Sequence, residues 1–175
     1  MEKKSLEING VAFDIYKDSY VFGDGDHETT RNMLLLMDKY GVKGKDVLDI
    51  GTGTGILSVY SAKCGANSVM ALDVDAACLE WARKNFKRNN VQVDVEISHV
   101  ATDIDFMADV VLANLPASAQ VENVKTIGKN IKDKGILIIT WLKSLDFDRF
   151  VKNFDVVERV EGTDYDAYVL KKKGE

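Results

Sequence analysis

Proline is almost missing from this 175-residue chain: only Pro116 is present, so no proline-rich linker divides it. Cysteine is equally scarce. Cys64 and Cys78 stand alone within helical patterns, without the second pair that a zinc site needs, and reduced, buried thiols are expected. No apolar run approaches a membrane span, and the opening Met-Glu-Lys-Lys-Ser lacks the apolar stretch of a signal peptide, so a cytoplasmic protein is expected. Positive charge is in deficit. A formal net charge of −5 argues against a sequence-independent grip on nucleic acid, DNA included, and favours a small or basic substrate. No internal repeat or low-complexity tract is visible. What is present, 46% hydrophobic and 29% charged residues, suits one globular domain over residues 1–175 with a proper core.

The chain is organised around Val47-Leu48-Asp49-Ile50-Gly51-Thr52-Gly53-Thr54-Gly55-Ile56-Leu57. A β-branched apolar run ends at Asp49, and three alternating glycines lead into an apolar-periodic segment, which reads as strand, tight turn, helix. Such glycines at a strand's carboxyl end suit a nucleotide-like ligand lying on the turn. The spacing is not the dinucleotide fingerprint, whose third glycine would fall at Ile56, and no Gly-Lys-Ser or Gly-Lys-Thr follows as in a P-loop. Asp49 decides between ligands. A carboxylate there repels pyrophosphate and welcomes an ammonium or sulfonium, so an adenosine derivative with a positive tail fits. S-adenosylmethionine has those features. An ordinary glycine turn with Asp49 binding backbone amides is the bland alternative.

Taken in order, residues 6–15 alternate around Asn9-Gly10, a hairpin signal, placed at the edge of the main sheet or over the site's mouth. Tyr20 to Arg31 is a glycine- and acid-rich loop feeding an apolar helix, with Asp26 or Thr29 as its cap; a ligand carboxylate would dock near Thr29 and Thr30. A helix over 54–64 closes at Gly65, and residues 68–73 form a strand ending at Asp73. Asp73 lies about 20 residues past the glycines, the interval at which an acid meets ribose hydroxyls. Asp75 is the better cap for the amphipathic helix 76–89, whose cations Arg83, Lys84, Lys87 and Arg88 form a solvated face. Residues 92–97 alternate as a strand, and Ser98-His99 follow where an adenine edge is read. The buried strand from Ala108 delivers Asn114 to the sheet's carboxyl edge before Leu115-Pro116, and its amide oxygen can accept from an incoming amine. A polar-faced helix over 117–133, a strand over 135–142, a short helix over 146–153 and a closing hairpin of 154–160 and 165–171 complete the pattern. The result is a doubly wound, mostly parallel α/β sheet with a C-terminal antiparallel hairpin and helices on both faces.

These residues resemble the seven-stranded, Rossmann-like S-adenosylmethionine-dependent methyltransferases. More narrowly, Phe-Gly-Asp-Gly-Asp-His-Glu-Thr-Thr-Arg at 22–31 and Leu-Asp-Ile-Gly-Thr-Gly-Thr-Gly-Ile-Leu at 48–57 are similar to the catalytic domain of ribosomal protein L11 methyltransferase. The resemblance implies that Phe22 and Thr30 line the methionine end, and that Asp49, Gly51, Thr52, Gly53 and Gly55 form the turn beneath the cofactor. It further implies that Asp73 and Val74 hold the nucleoside, that Ser98 and His99 face adenine, and that Asn114 and Leu115 position the acceptor nitrogen. Asn114 would be the catalytic residue, with S-adenosylhomocysteine as the product and no metal required. Two departures stand out. Asp24 replaces the threonine of the usual Phe-Gly-Thr-Gly, and about twenty residues precede the loop, too few for the separate amino-terminal domain that grips the ribosomal protein. The acceptor implied is a protein amine, a lysine or N-terminal amine, with a small-molecule or RNA nitrogen, or a non-catalytic cofactor binder, as alternatives. The acids at 24, 26 and 28 would draw a cationic acceptor in.

Overall fold

The structure, a computed structural model, describes residues 2–18, 20–97, 104–123 and 126–173. Seven strands form one sheet in the order β5-β4-β3-β6-β7-β9-β8, with β3 (Asp46–Ile50), β4 (Ser68–Asp73), β5 (Asp94–Ile97), β6 (Ala108–Ala113), β7 (Ile131–Leu142), β8 (Phe154–Val160) and β9 (Tyr165–Lys172). Pairings among β3 to β7 are parallel, and β9 runs antiparallel to both β7 and β8. Alternate residues of each buried strand face opposite layers. Val47, Val69, Val110 and Ile138 pack under α1 (Glu28–Tyr40), α2 (Ile56–Lys63) and α3 (Ala76–Arg88). Leu48, Ile50, Val111 and Ile139 pack on the other side with Phe150 of α5 (Phe147–Val151) and the segment around α4 (Ala117–Asn123). Both faces are therefore covered, as parallel sheets require.

The amino-terminal hairpin, β1 (Glu2–Ile8) and β2 (Val11–Lys17), forms a separate two-stranded sheet. It does not extend the main sheet's edge: Asn85 of α3 and Asn89, the helix's C-cap, occupy its backbone. Asn89 Oδ1 accepts from the Asp14 N–H and Asn85 Oδ1 from the Tyr16 N–H, each at 2.9 Å, while their amide nitrogens donate to the carbonyls of the same two residues. Phe13 and Ile15 are then buried against the helical layer.

The helix expected over 117–133 is shorter than the pattern suggests: α4 stops at Asn123, turns follow over 126–130, and β7 already begins at Ile131. Tertiary packing overrides helical propensity here. Asn130 donates to the Phe106 carbonyl at 2.9 Å and accepts from the Ala108 N–H through its own carbonyl, so this segment pairs with the entry to β6. Ile127 and Ile131 are buried in the lower layer, and Gly128 makes room for Phe154.

The edge opposite the strand carboxyl ends is closed by charge. Lys132 bridges Asp46 at 2.7 Å and Asp109 at 3.0 Å, and Asp46 also accepts from Asn67 and Ser68. The Lys132 ammonium, with those two donors, holds the Asp46 carboxyl well below the carboxylate range. A carboxyl lowered in the folded state stabilises fully above its unfolded value of about 3.9, and that contribution fades as pH falls. Lys132→Met should therefore flatten the loss of stability on acidification, read from urea midpoints between pH 7 and pH 3; an unchanged slope would count against this bridge.

Candidate active site

At the carboxyl edge of β3, β4 and β6 opens a cavity of about 540 Å³, lined by Phe22, His27, Thr30, Gly51 to Gly53, Asp73, Val74, Asn114, Leu115 and Tyr165 among others. The glycine turn forms its floor. Gly51 and Gly53 have φ of 72° and 55°, and neighbouring groups fill the space their side chains would take. A Cβ on Gly51 would meet Leu115 at 2.4 Å, and one on Gly53 would meet the Phe22 carbonyl oxygen at 2.7 Å. The loop 22–27 is fastened to this turn by Thr54, whose N–H donates to the Phe22 carbonyl at 3.1 Å and whose hydroxyl donates to the Gly23 carbonyl. Gly55 lies off the cavity; its missing Cβ admits the Phe86 ring of α3, so it serves helix packing.

Asp49 is also behind the wall. It is 1% exposed, and its Oδ2 accepts from the Thr52 hydroxyl at 2.7 Å and the Ser58 hydroxyl at 2.6 Å. Burial pushes its carboxyl up to about 6 against the pull of those two donors. Asp49 therefore meets the cavity through Thr52 and through its charge, without lining it. Asp73 does line it. Its Oδ2 accepts from the Gly53 N–H at 2.9 Å and its Oδ1 from the Asp75 N–H at 3.0 Å, which leaves further lone pairs for hydroxyl donors. Asp75 caps α3 through the Ala77 N–H, as its spacing suggests.

Asn114 emerges at the end of β6 between two threonines. Its Oδ1 accepts from the Thr140 hydroxyl at 2.9 Å, and its Nδ2 donates to the buried Thr30 hydroxyl at 3.4 Å. Leu115, 5% exposed, rests over Gly51, and Val74 presents an exposed apolar face to the cavity. Ser98 and His99 lie outside the described residues.

Several features differ from the sequence expectation. The cap of α1 is His27, whose Nδ1 accepts from the Thr29 N–H, in place of Asp26 or Thr29; its ring meets Phe22 edge-on at 5.1 Å. The acids at 24, 26 and 28 are not free to draw in a cation. Lys17 pairs with Asp24, Lys4 pairs with Asp26, and Glu28 accepts from the Thr163 N–H at 2.9 Å. Cys64 and Cys78 are free but only half-buried, and Cys78 lines the cavity. Burial, helped by the charges of Asp73 and Asp75, pushes its thiol up to about 12, so it stays protonated. His27, Cys78 and Tyr165 line the cavity without a site role in the sequence reading, where His27 stands within the 22–31 motif and Cys78 as a buried thiol.

With this geometry in view, similarity to known proteins becomes informative. The family model described as ribosomal protein L11 methyltransferase matches residues 18–148, spanning the loop, the glycine turn and Asn114. The chain belongs to the ribosomal protein L11 methyltransferase family. Relatives bearing that family's name include one from Thermosipho africanus, 34% identical over 150 residues, covering 86% of this chain and 57% of the relative. Another, from Thermosipho melanesiensis, is 34% identical over 165 residues, 94% of this chain and 64% of the relative. The chain thus spans 57% to 64% of the length of these family members. Among solved structures, a ribosomal protein L11 methylase from Lactobacillus delbrueckii subsp. bulgaricus matches with a TM-score of 0.78 at 23% identity, over 88% of this chain and 82% of that one. A T. thermophilus 16S rRNA methyltransferase in complex with AdoMet and guanosine matches with a TM-score of 0.82 at 19% identity, over 98% of this chain and 50% of that one. Both likenesses are of fold, that of this chain's mostly parallel seven-stranded sheet.

Proposed function

We propose that this chain is an S-adenosylmethionine-dependent methyltransferase acting on an amino nitrogen of a protein, a lysine or an N-terminal amine. The observation that carries the reading is Asn114 opening into a cavity whose floor is the Gly51–Gly53 turn and whose wall carries Asp73. The cavity suits the cofactor: a floor of bare Gly51 and Gly53 backbone, a carboxylate with spare lone pairs, and Val74 beside it as an apolar face for a nucleobase. Bound there, the cofactor supplies a methyl carbon made electrophilic by its sulfonium. With the cofactor bound, Asp73 would hold its ribose hydroxyls, and Asn114 Oδ1 would accept an N–H of the neutral amine and so orient the amine's lone pair. A lysine has a solution pKa of about 10.4, so it would have to give its proton to solvent water before its lone pair is available. Positioning of this kind supplies roughly 7–11 kcal/mol of a barrier. We place the protein in the cytoplasm, where Cys64 and Cys78 remain thiols.

Incubation with methyl-labelled S-adenosylmethionine and cell extract should put label in the protein fraction. Label confined to RNA or small metabolites, or no binding of the cofactor or its demethylated product by calorimetry, would overturn the assignment. Asp49 gives a finer check on why a positive tail is preferred. Asp49→Asn keeps an oxygen for Thr52 and Ser58 but removes the buried charge, so affinity for S-adenosylmethionine should fall about three- to tenfold while affinity for S-adenosylhomocysteine holds. Stability should not suffer. A carboxyl raised above its unfolded value contributes fully below about pH 3.9 and loses that contribution as pH rises through about 6. The variant should accordingly melt no lower than the wild type at pH 7.5.

A further inference from the structure

The amide of Asn114 is held by a residue that no motif marks. Thr140 sits on β7, one position beyond the Ala113↔Ile139 pairing, and is 1% exposed. A buried hydroxyl needs a partner, and this one donates to Asn114 Oδ1 at 2.9 Å. From the other side the Thr30 hydroxyl accepts a hydrogen bond from Nδ2. Among the described residues no other partner takes the second lone pair of Oδ1 or the second N–H of Nδ2, so both are left for the cavity.

The surrounding backbone is anchored independently of that hydroxyl. Gln120 of α4 is fully buried; its Nε2 donates to the Leu115 carbonyl at 2.8 Å and the Thr140 carbonyl at 3.0 Å, and its Oε1 accepts from the Leu142 N–H. Thr140 itself pairs with Ala167 of β9. Strand and turn therefore hold their places whether or not residue 140 carries an oxygen. The hydroxyl's specific effect falls on which way the Asn114 amide points.

We infer that Thr140 is a positioning residue for methyl transfer: its hydroxyl fixes the Asn114 amide so that the remaining oxygen lone pair meets the acceptor nitrogen. The inference rests on the methyltransferase reading for its kinetic consequence, and on geometry alone for the orientation of the amide. Thr140→Val removes the proton donor and nearly keeps the shape; Thr140→Ser restores the donor.

The test reads both levels on the whole chain. With the protein fraction labelled by the wild type as acceptor, Thr140→Val should lower kcat about tenfold while Thr140→Ser stays within about twofold. Calorimetry should find the S-adenosylmethionine dissociation constant unchanged in both. In nitrogen-15 NMR spectra, the side-chain amide pair that vanishes in Asn114→Ala should shift in Thr140→Val and stay in place in Thr140→Ser. Wild-type kcat with an unmoved amide pair in Thr140→Val overturns the inference, and so does a loss that serine fails to restore. A chain that binds no S-adenosylmethionine defeats the methyltransferase reading, and the amide pair still decides what Thr140 does.

Discussion

Asn114→Ala should lower kcat by about 10²–10³-fold while leaving the S-adenosylmethionine dissociation constant within about threefold of the wild type. The reason is spatial. Asn114 ends β6, whereas the floor of the cavity and the wall that carries Asp73 belong to the β3 turn and the end of β4. Truncation leaves Gly51, Gly53 and Asp73 with all their contacts. What disappears is the group that the proposed mechanism uses to turn the incoming amine. The cost should therefore appear in the rate with saturating cofactor, measured by label transfer, with calorimetry as the control. Equal losses in rate and cofactor affinity would reassign Asn114 to binding. Thr30 and Thr140 would be left without a side-chain partner at this position, so a melting measurement should accompany the assay.

Asp73→Ala should do the reverse. Its carboxylate accepts the Gly53 N–H and the Asp75 N–H, so one side chain both shapes the glycine turn and offers oxygen to a ribose. A hydrogen bond to a charged group contributes roughly 1.5–3 kcal/mol, and losing two such bonds should weaken binding by about 10²-fold or more. S-adenosylmethionine and S-adenosylhomocysteine should suffer alike, because both carry the nucleoside. That parallel loss separates Asp73 from Asp49, whose replacement should discriminate between the two ligands. Affinity retained within about threefold would remove Asp73 from the ribose site.

The glycine turn, Asp73 and Asn114 were readable from the chain because each sits at the carboxyl end of a strand, and in an open α/β sheet that position fixes the place. Gly51 and Gly53 were readable for the same reason, while Gly55 turned out to serve the packing of Phe86. Other features depend on partners distant in sequence. Tyr165 reaches the cavity only because β9 pairs with β7, where it faces Leu142. The acids of the loop looked free in sequence, yet Lys4 and Lys17 of the hairpin neutralise two of them. The early start of β7 depended on Asn130 bonding back to residues around 106, which no local periodicity announces. Thr140 was hidden for a similar reason: within a buried run it reads as an ordinary β-branched strand residue.

Asn85 has a consequence that reaches beyond anchoring the hairpin. Its Nδ2 donates at once to the Tyr16 carbonyl and to the Thr54 carbonyl of the glycine turn, while its Oδ1 takes the Tyr16 N–H. A single carboxamide thus closes two circuits, one running into the ribbon and one into the glycine turn. The two bonds to Tyr16 hold that carboxamide in the orientation its bond to the Thr54 carbonyl needs, so the ribbon steadies the glycine turn from across α3.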